Sequence, residues 1–324
     1  MITRRQFVTT SIASVAALPF VRRAGAQSWP ARHVRLIVPY PAGGGADAIA
    51  RIVSGHLSQA WGQQIVIENR GGAGGNIAGE AAAKSAPDGY TLYLAGEFHA
   101  TNPFMYPRLT YDPVADFVPI SLVVQYPTCV VVPNVSPVRS IPDFIGHAKA
   151  SGGRMTFASP GTGTGPHLAA ELFKRVAGIE MTHVPYRGAA PAIQDVIPGR
   201  VDSFFNNIAP LMALIRQGQL RALAVTTARR VPAAPDIPTL AEQGVASDVS
   251  GWYALYAPAK TPAGIVQRVA ADTRSALADP AIRIRLEQLG LFVVGSTPGE
   301  LDAFFKAEME RWQPIIRDAG IKAS

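Results

Sequence analysis

Cysteine is almost missing from this chain. Cys129 is the only one in 324 residues, which excludes an intrachain disulfide and any zinc site built from several thiolates. Charge is scarce too: Asp, Glu, Lys and Arg make up 16% of the residues, against roughly 25% in an average globular domain. The six histidines show no HExxH spacing, so a metalloprotease-type zinc helix is not indicated. No Gly-x-x-x-x-Gly-Lys-Ser/Thr loop is present, which removes a P-loop nucleotide site. The uncharged stretch near the N-terminus, residues 6–21, has 16 positions, short of the ~20 apolar residues that span a bilayer. What is abundant is apolar side chains, at 48%, together with 30 Gly and 27 Pro. That composition is globular and rich in turns, and it excludes a disordered polymer, a collagen and a coiled coil. The length fits two domains or one large one.

Thr3-Arg4-Arg5-Gln6-Phe7-Val8, a mild apolar stretch and Ala24-Gly25-Ala26 form a charged region, an apolar region and a small-x-small cleavage site. The paired arginines resemble a twin-arginine export signal, which a receptor reads and which does not anchor the chain. The expectation is a signal peptide over 1–26, cleaved near Ala26, and a mature chain of 298 residues. Removing Arg4, Arg5, Arg22 and Arg23 leaves 26 bases against 23 acids, so the formal charge falls from +7 to +3. That balance is too weak and dispersed for a nucleic-acid partner. Cys129 lies within Thr128-Cys129-Val130-Val131-Val132, which reads as a buried strand and makes an inert core thiol the expectation.

Strands alternate with helices along the chain. Short apolar runs at 34–38, 65–67, 90–94, 130–132, 155–158, 182–184, 201–205 and 223–225 read as strands, and the last part of the chain as helices at 263–278, 280–289 and 298–318. The alternation predicts parallel, doubly wound α/β sheets. Pro-rich shifts in composition fall near 133–142 and 232–238.

Two glycine loops sit where such sheets place ligands, each after a strand and before a helix. The first is Pro39-Tyr40-Pro41-Ala42-Gly43-Gly44-Gly45-Ala46-Asp47. Glycine lets backbone N–H groups approach a ligand closely, and the helix N-terminus beyond favours an anion. Asp47 is placed to cap that helix and leave earlier amides open. The loop fits only the loose dinucleotide form that ends in Ala48 with Glu68 beyond it, and an exported chain rarely meets a dinucleotide. The second is Ser159-Pro160-Gly161-Thr162-Gly163-Thr164-Gly165-Pro166-His167, with hydroxyls and amides to offer. Its central Gly163 stands where a nucleophile elbow needs serine, which argues against a hydrolase. The plain alternative for the first loop is a tight turn with an N-cap, and for the second a flexible glycine connector. Two such loops, more than 100 residues apart, suggest two domains gripping one anion in a cleft.

Further polar candidates follow other strands. Glu97-Phe98-His99 comes after the strand at 90–94, where Glu97 could meet a ligand cation, pair with Arg187 or point to water. Arg187, in Tyr186-Arg187-Gly188, could pair with a carboxylate or lie on the surface. Asn206-Asn207 ends the strand at 201–205.

The ordered set Pro39-Tyr40-Pro41-Ala42-Gly43-Gly44-Gly45-x-Asp47-x-x-Ala50-Arg51, Asn69-Arg70-Gly71-Gly72-Ala73-Gly74-Gly75-Asn76, Pro87-Asp88-Gly89-Tyr90-Thr91-Leu92, Val184-Pro185-Tyr186-Arg187-Gly188, Gln194-Asp195 with Gly199-x-Val201-Asp202, and Ala257-Pro258-Ala259-x-Thr261-Pro262 resembles the Bug family of extracytoplasmic solute receptors, the TctC-like binding proteins of tripartite tricarboxylate transport systems. The resemblance covers essentially the whole mature chain. It implies a periplasmic, two-lobed α/β binding protein of the type II-like, Venus-flytrap kind, each lobe a doubly wound sheet flanked by helices. Lobe one is expected at 27–125 and 250–324, and lobe two at 126–249. The ligand implied is a small organic acid, held by Tyr40, Ala42, Gly43 and Asp47 from one lobe and Ser159, Gly163 and Thr164 from the other. Glu97, Phe98, His99, Arg187 and Asn206 are added from the residue reading. Glu97 is more acidic than the small polar residues expected of the family there, which argues against a simple polyanion such as citrate. Neither cofactor, metal nor catalytic residue is expected; the partners are the permease subunits of a tripartite transporter, and the chain is expected to be a monomer. Two other readings stay open: an exported enzyme acting on an organic acid with Glu97 or His99 as base, and a ligand-presenting partner of a sensor kinase.

Overall fold

The computed structural model describes residues 29–322; the expected export signal at 1–26 lies outside the described residues. In chain order, β1 (Val34–Val38), α1 (Gly45–Trp61), β2 (Ile65–Asn69), α2 (Asn76–Ala83), β3 (Thr91–Gly96) and α3 (Phe98–Met105) open the first lobe. A long strand β4 (Phe117–Pro133) leads to α4 (Ile141–Ser151), β5 (Thr156–Ser159), α5 (Gly165–Ala177), β6 (Thr182–Pro185), α6 (Ala189–Val196), β7 (Ser203–Asn207), α7 (Met212–Arg216) and β8 (Leu220–Val225). The chain then returns through β9 (Ser250–Pro258), α8 (Ala263–Ala278), α9 (Pro280–Gln288), β10 (Phe292–Val293) and α10 (Pro298–Asp318).

Period-two alternation explains why both faces of the first lobe's sheet carry helices. Leu36, Leu92, Leu94 and Leu255 pack with Ile49, Val53 and Leu57 of α1 and Val269 of α8. Their neighbours Ile37, Tyr93, Trp252 and Tyr256 face the other way, toward Ala78 of α2, Phe98 of α3 and Phe305 of α10. The second lobe repeats the scheme: Val130, Phe157 and Phe205 meet Phe144 of α4 and Phe173 of α5, whereas Cys129, Val131 and Phe204 meet Ala192 and Val196 of α6. Burial raises the Cys129 thiol to about 12, so it stays protonated in the core.

The outer strands pair in parallel, β2–β1–β3 in one lobe and β7–β5–β6 in the other. The strands between them do not, which departs from the all-parallel expectation. β9 runs antiparallel to β3 and to β4, and β4 runs antiparallel to β7 and β8. β4 therefore belongs to both lobes: Phe117–Pro127 pairs with β9, and Thr128–Pro133 with β7 and β8. Thr226 ties the two crossings together. Its Oγ1 donates to the Val249 carbonyl (2.6 Å) and accepts from Thr128 N–H (3.2 Å).

Opposite Tyr126 in the ladder stands Gly251. A Cβ on Gly251 would lie 2.1 Å from Tyr126 Cε2, so the glycine is what lets the tyrosine ring lie flat across β9. Gly251→Ala is expected to cost about 1–3 kcal/mol of stability through overpacking, read as a lower urea midpoint at unchanged slope. A wild-type midpoint would show that the ring moves aside without cost.

Helix α10 reaches the second lobe. Trp312, Ile315 and Ile316 form an apolar cluster with Met105 of α3 and with Leu168 and Ala169 of α5. Arg175 pairs with Asp318 at 3.0 Å on the exposed rim of that contact.

Candidate functional site

The first glycine loop is held from behind by Asp47. Asp47 is 3% exposed and lies inside α1, whose N-cap is Gly44. Its Oδ2 accepts Gly43 N–H (2.9 Å) and Arg51 Nε–H (2.8 Å), and its Oδ1 accepts Asn69 Nδ2 (3.1 Å). Asn69 Nδ2 also donates to the Tyr40 carbonyl (3.0 Å). Asp47 therefore brackets the loop through Gly43, one residue ahead of the N-cap; it does not cap the helix as expected, because the carboxylate turns back toward Asn69 on β2. The Arg51 bond, with help from Gly43 and Asn69, holds its carboxyl below the usual range. Ala42 and Gly43 remain exposed, and Gly43 has φ +85°, a left-handed conformation that favours glycine.

The second loop folds onto its own lobe. Ser159 Oγ lies 2.7 Å from His183 Nε2, and Thr164 Oγ1 donates to the Gly161 carbonyl (2.8 Å). His167 Nδ1 accepts Gly163 N–H (3.0 Å). Hence Ser159, Gly163 and Thr164 each make a hydrogen bond within the loop or to its supporting histidines, where the spacing alone suggests open donors. The imidazoles of His167 and His183 stack at 3.9 Å. Burial pushes them down to about 3 and about 4, with Lys174 adding to both shifts, so both rings are neutral near pH 7. The stacking of His183 on His167 escapes the sequence reading because it depends on β5 and β6 lying side by side, which puts His183 opposite Phe157.

Both loops converge on the start of α3. The Tyr40 ring meets Phe98 edge-on at 6.0 Å, and Gly165 N–H at the head of α5 donates to Glu97 Oε1 (3.1 Å). Gly163 lies against α3 as well: a Cβ there would stand 2.8 Å from Met105 Sδ. Glu97 is 4% exposed, so it does not point to water, and its other oxygen accepts Tyr126 Oη–H (2.7 Å). Burial raises its carboxyl above the usual range, opposed first by the Tyr126 bond and also by Gly165 N–H. Arg187 is exposed and is not among these partners. Its segment instead flanks the second loop, with Gly188 N–H on the Pro160 carbonyl (2.9 Å). Asn206 is buried on β7 opposite Cys129, and its Nδ2 has no hydrogen-bond partner among the described residues.

His99 is not brought to the other candidates. Its ring is fully buried among Tyr93, Tyr111, Phe117, Tyr256 and Phe305, with centroid distances of 4.8–6.1 Å. Burial takes it down to about 3, which leaves a neutral imidazole inside an aromatic core. Tyr126 joins the candidate site although no motif spacing discloses it, and Gly165, already part of the second loop, joins it through its N–H. Among the described residues, no cluster of three or more His, Cys, Asp or Glu side chains is placed to hold a metal.

Two lobes joined by β4 and β9, each presenting a glycine loop at the head of a helix, define a two-lobed solute-binding protein. The chain belongs to the tripartite tricarboxylate transporter receptor family (TctC), whose family model matches residues 49–321. Solved structures agree. R. palustris Rpa4515, solved with adipate, is 36% identical with a TM-score of 0.83, over 91% of this chain and 99% of that one. The periplasmic binding protein BugD is 32% identical with a TM-score of 0.80, over 91% and 100% of the two chains. MatC from Rhodopseudomonas palustris, with bound malate, is 30% identical with a TM-score of 0.78, over 89% and 99%.

Proposed function

We propose that this chain is an exported, periplasmic receptor that captures a small organic carboxylate between its lobes and delivers it to the membrane subunits of a tripartite transporter. The observation that carries the reading is the Gly165–Glu97 hydrogen bond, which brings the head of α5 in one lobe onto the start of α3 in the other. The adipate and malate in two relatives of similar fold support a carboxylate as the ligand class.

The hinge we propose lies where β4 and β9 cross, dividing the chain into 27–125 with 250–324 and 126–249. A ligand carboxylate would be held by the loop amides near Ala42 and Gly43 and by the loop at Ser159–Thr164. Charge-assisted bonds formed only when the lobes meet shift the population toward the closed form. The protein acts as a monomer and without catalysis; of the two bases an enzymatic reading could use, His99 is walled into the aromatic core and Glu97 is engaged by Tyr126 and Gly165.

Asp47→Ala and Thr164→Ala test the site. A thermal-shift screen of mono-, di- and aminocarboxylates selects the ligand, and calorimetry then compares the variants. Each substitution is expected to weaken binding about tenfold, close to one lost hydrogen bond to a charged group, while the protein stays folded. Unchanged affinity in both variants rejects this site.

A further inference from the structure

Glu97 is a buried carboxylate served only by neutral donors. Tyr126 Oη–H and Gly165 N–H each take one of its oxygens, at 2.7 and 3.1 Å. No lysine or arginine is among its partners in the described residues. The backbone N–H groups of Glu97 itself and of Trp252 also favour its charged form, so every donor that faces it is neutral and none supplies a counter-charge. Aromatic rings crowd round it. Tyr253 lies 5.2 Å from Tyr126 and 6.4 Å from Tyr40, and Tyr40 lies 6.0 Å from Phe98. A buried charge without a counter-ion is costly, and a cation brought to it offsets that cost. The faces of tyrosine rings add attraction for the same cation. A second carboxylate placed here meets like charge at short range, where little water screens it.

We infer that Glu97 sets the charge class of the ligand: the receptor takes a zwitterionic acid, with its carboxylate on the glycine loops and its ammonium on Glu97, and rejects dianions of the adipate and malate kind. The inference rests on the carboxylate-receptor reading and sharpens it to a ligand class.

The test holds chain length constant and varies charge. Adipate, hexanoate and 6-aminohexanoate form one series, and succinate, butyrate and 4-aminobutyrate a shorter one. Calorimetry is run on the wild-type protein and on Glu97→Gln, whose amide oxygen can still accept Gly165 N–H and whose NH2 can donate to Tyr126; thermal unfolding monitors the fold. In the wild type, the aminocarboxylate of at least one series should bind at least tenfold more tightly than the matching dicarboxylate. In Glu97→Gln that ratio should fall at least tenfold. Dicarboxylates that match or exceed the aminocarboxylates on the wild type overturn the inference and leave the receptor reading intact, and this arm needs no variant. A Glu97→Gln protein that folds and keeps the wild-type ratio overturns it as well. If no member of either series binds either protein, the carboxylate-receptor reading falls and the inference falls with it.

Discussion

Acidifying the protein from pH 7 toward pH 4 should lower its melting temperature progressively, because two buried histidines and one half-buried histidine must stay neutral in the fold. His99 and His167 are held down to about 3 and His183 to about 4, chiefly by burial. In the unfolded chain each returns to about 6.5. Between those values the unfolded state binds more protons than the native one. The contribution is therefore complete above pH 6.5 and is lost as pH falls, at up to about 1.4 kcal/mol per pH unit for each of His99 and His167 and less for the half-exposed His183, where solvent screens the charge. His167 and His183 stack at 3.9 Å and titrate as a pair, so their losses cannot be assigned one by one. Glu97 and Glu308 act with the opposite sign. Burial raises both carboxyls, and they gain stability as pH falls through that raised range, but they are two groups against three. Scanning calorimetry from pH 7.5 to 4 checks the slope, and His99→Leu, which removes one titrating group, should flatten it. A melting temperature that is level between pH 7 and 5 would contradict the neutral-histidine account. Binding by the folded protein should hold over the same range and weaken only as pH approaches the native His167 value of about 3, where protonating Nδ1 turns the acceptor of Gly163 N–H into a donor and the second glycine loop loses its support.

How much of this molecule its sequence discloses depends on how local each feature is. β1, β3 and the terminal helices are plain because their apolar periods are clean and their caps nearby, as in the Thr297–Glu300 capping box that opens α10. β4 is harder to read. Only its Val130–Val132 stretch looks like a strand, because Pro119 and Pro127 break the pattern that proline normally forbids inside a sheet. Those prolines are tolerated where the ladder slips register, between Pro119 and Ser121, and where β4 leaves one lobe for the other. β9 has a continuous apolar run but no helix-bearing loop ahead of it, so the alternation does not mark it. The two glycine loops are legible as loops from their position after a strand. What their amides do is not, since Gly163 turns to a histidine four residues on and Gly165 to a glutamate 68 residues away. Glu97 and His99 are two residues apart, yet the turn into α3 sends one to the lobe boundary and the other into the core.

Gly165→Ala should separate closure from folding more cleanly than any other single change at the lobe boundary. Gly165 is outside the left-handed region, and alanine suits the first turn of a helix, so within its own lobe the substitution is harmless. Across the boundary it is not. The added Cβ would stand 2.7 Å from Glu97 Oε1 and 3.1 Å from its Cδ, and Glu97 is fixed there by Tyr126. The clash exists only when the lobes are together, so the open state is untouched and the closed state bears the whole cost. Carboxylate affinity is expected to fall at least tenfold, equivalent to about 1.4 kcal/mol, with the urea midpoint close to wild type. Gly163→Ala is less informative, since φ +78° adds backbone strain to its contact with Met105. The double variant Gly165→Ala with Glu97→Ala keeps the added methyl and removes the group it strikes. If contact across the boundary is the cause, the second change should recover compactness in small-angle scattering at saturating ligand, and the two effects should be strongly non-additive. Wild-type affinity and compactness in Gly165→Ala alone would mean that the lobes hold the ligand without meeting at Glu97, and the closing contact would have to be sought elsewhere along α5.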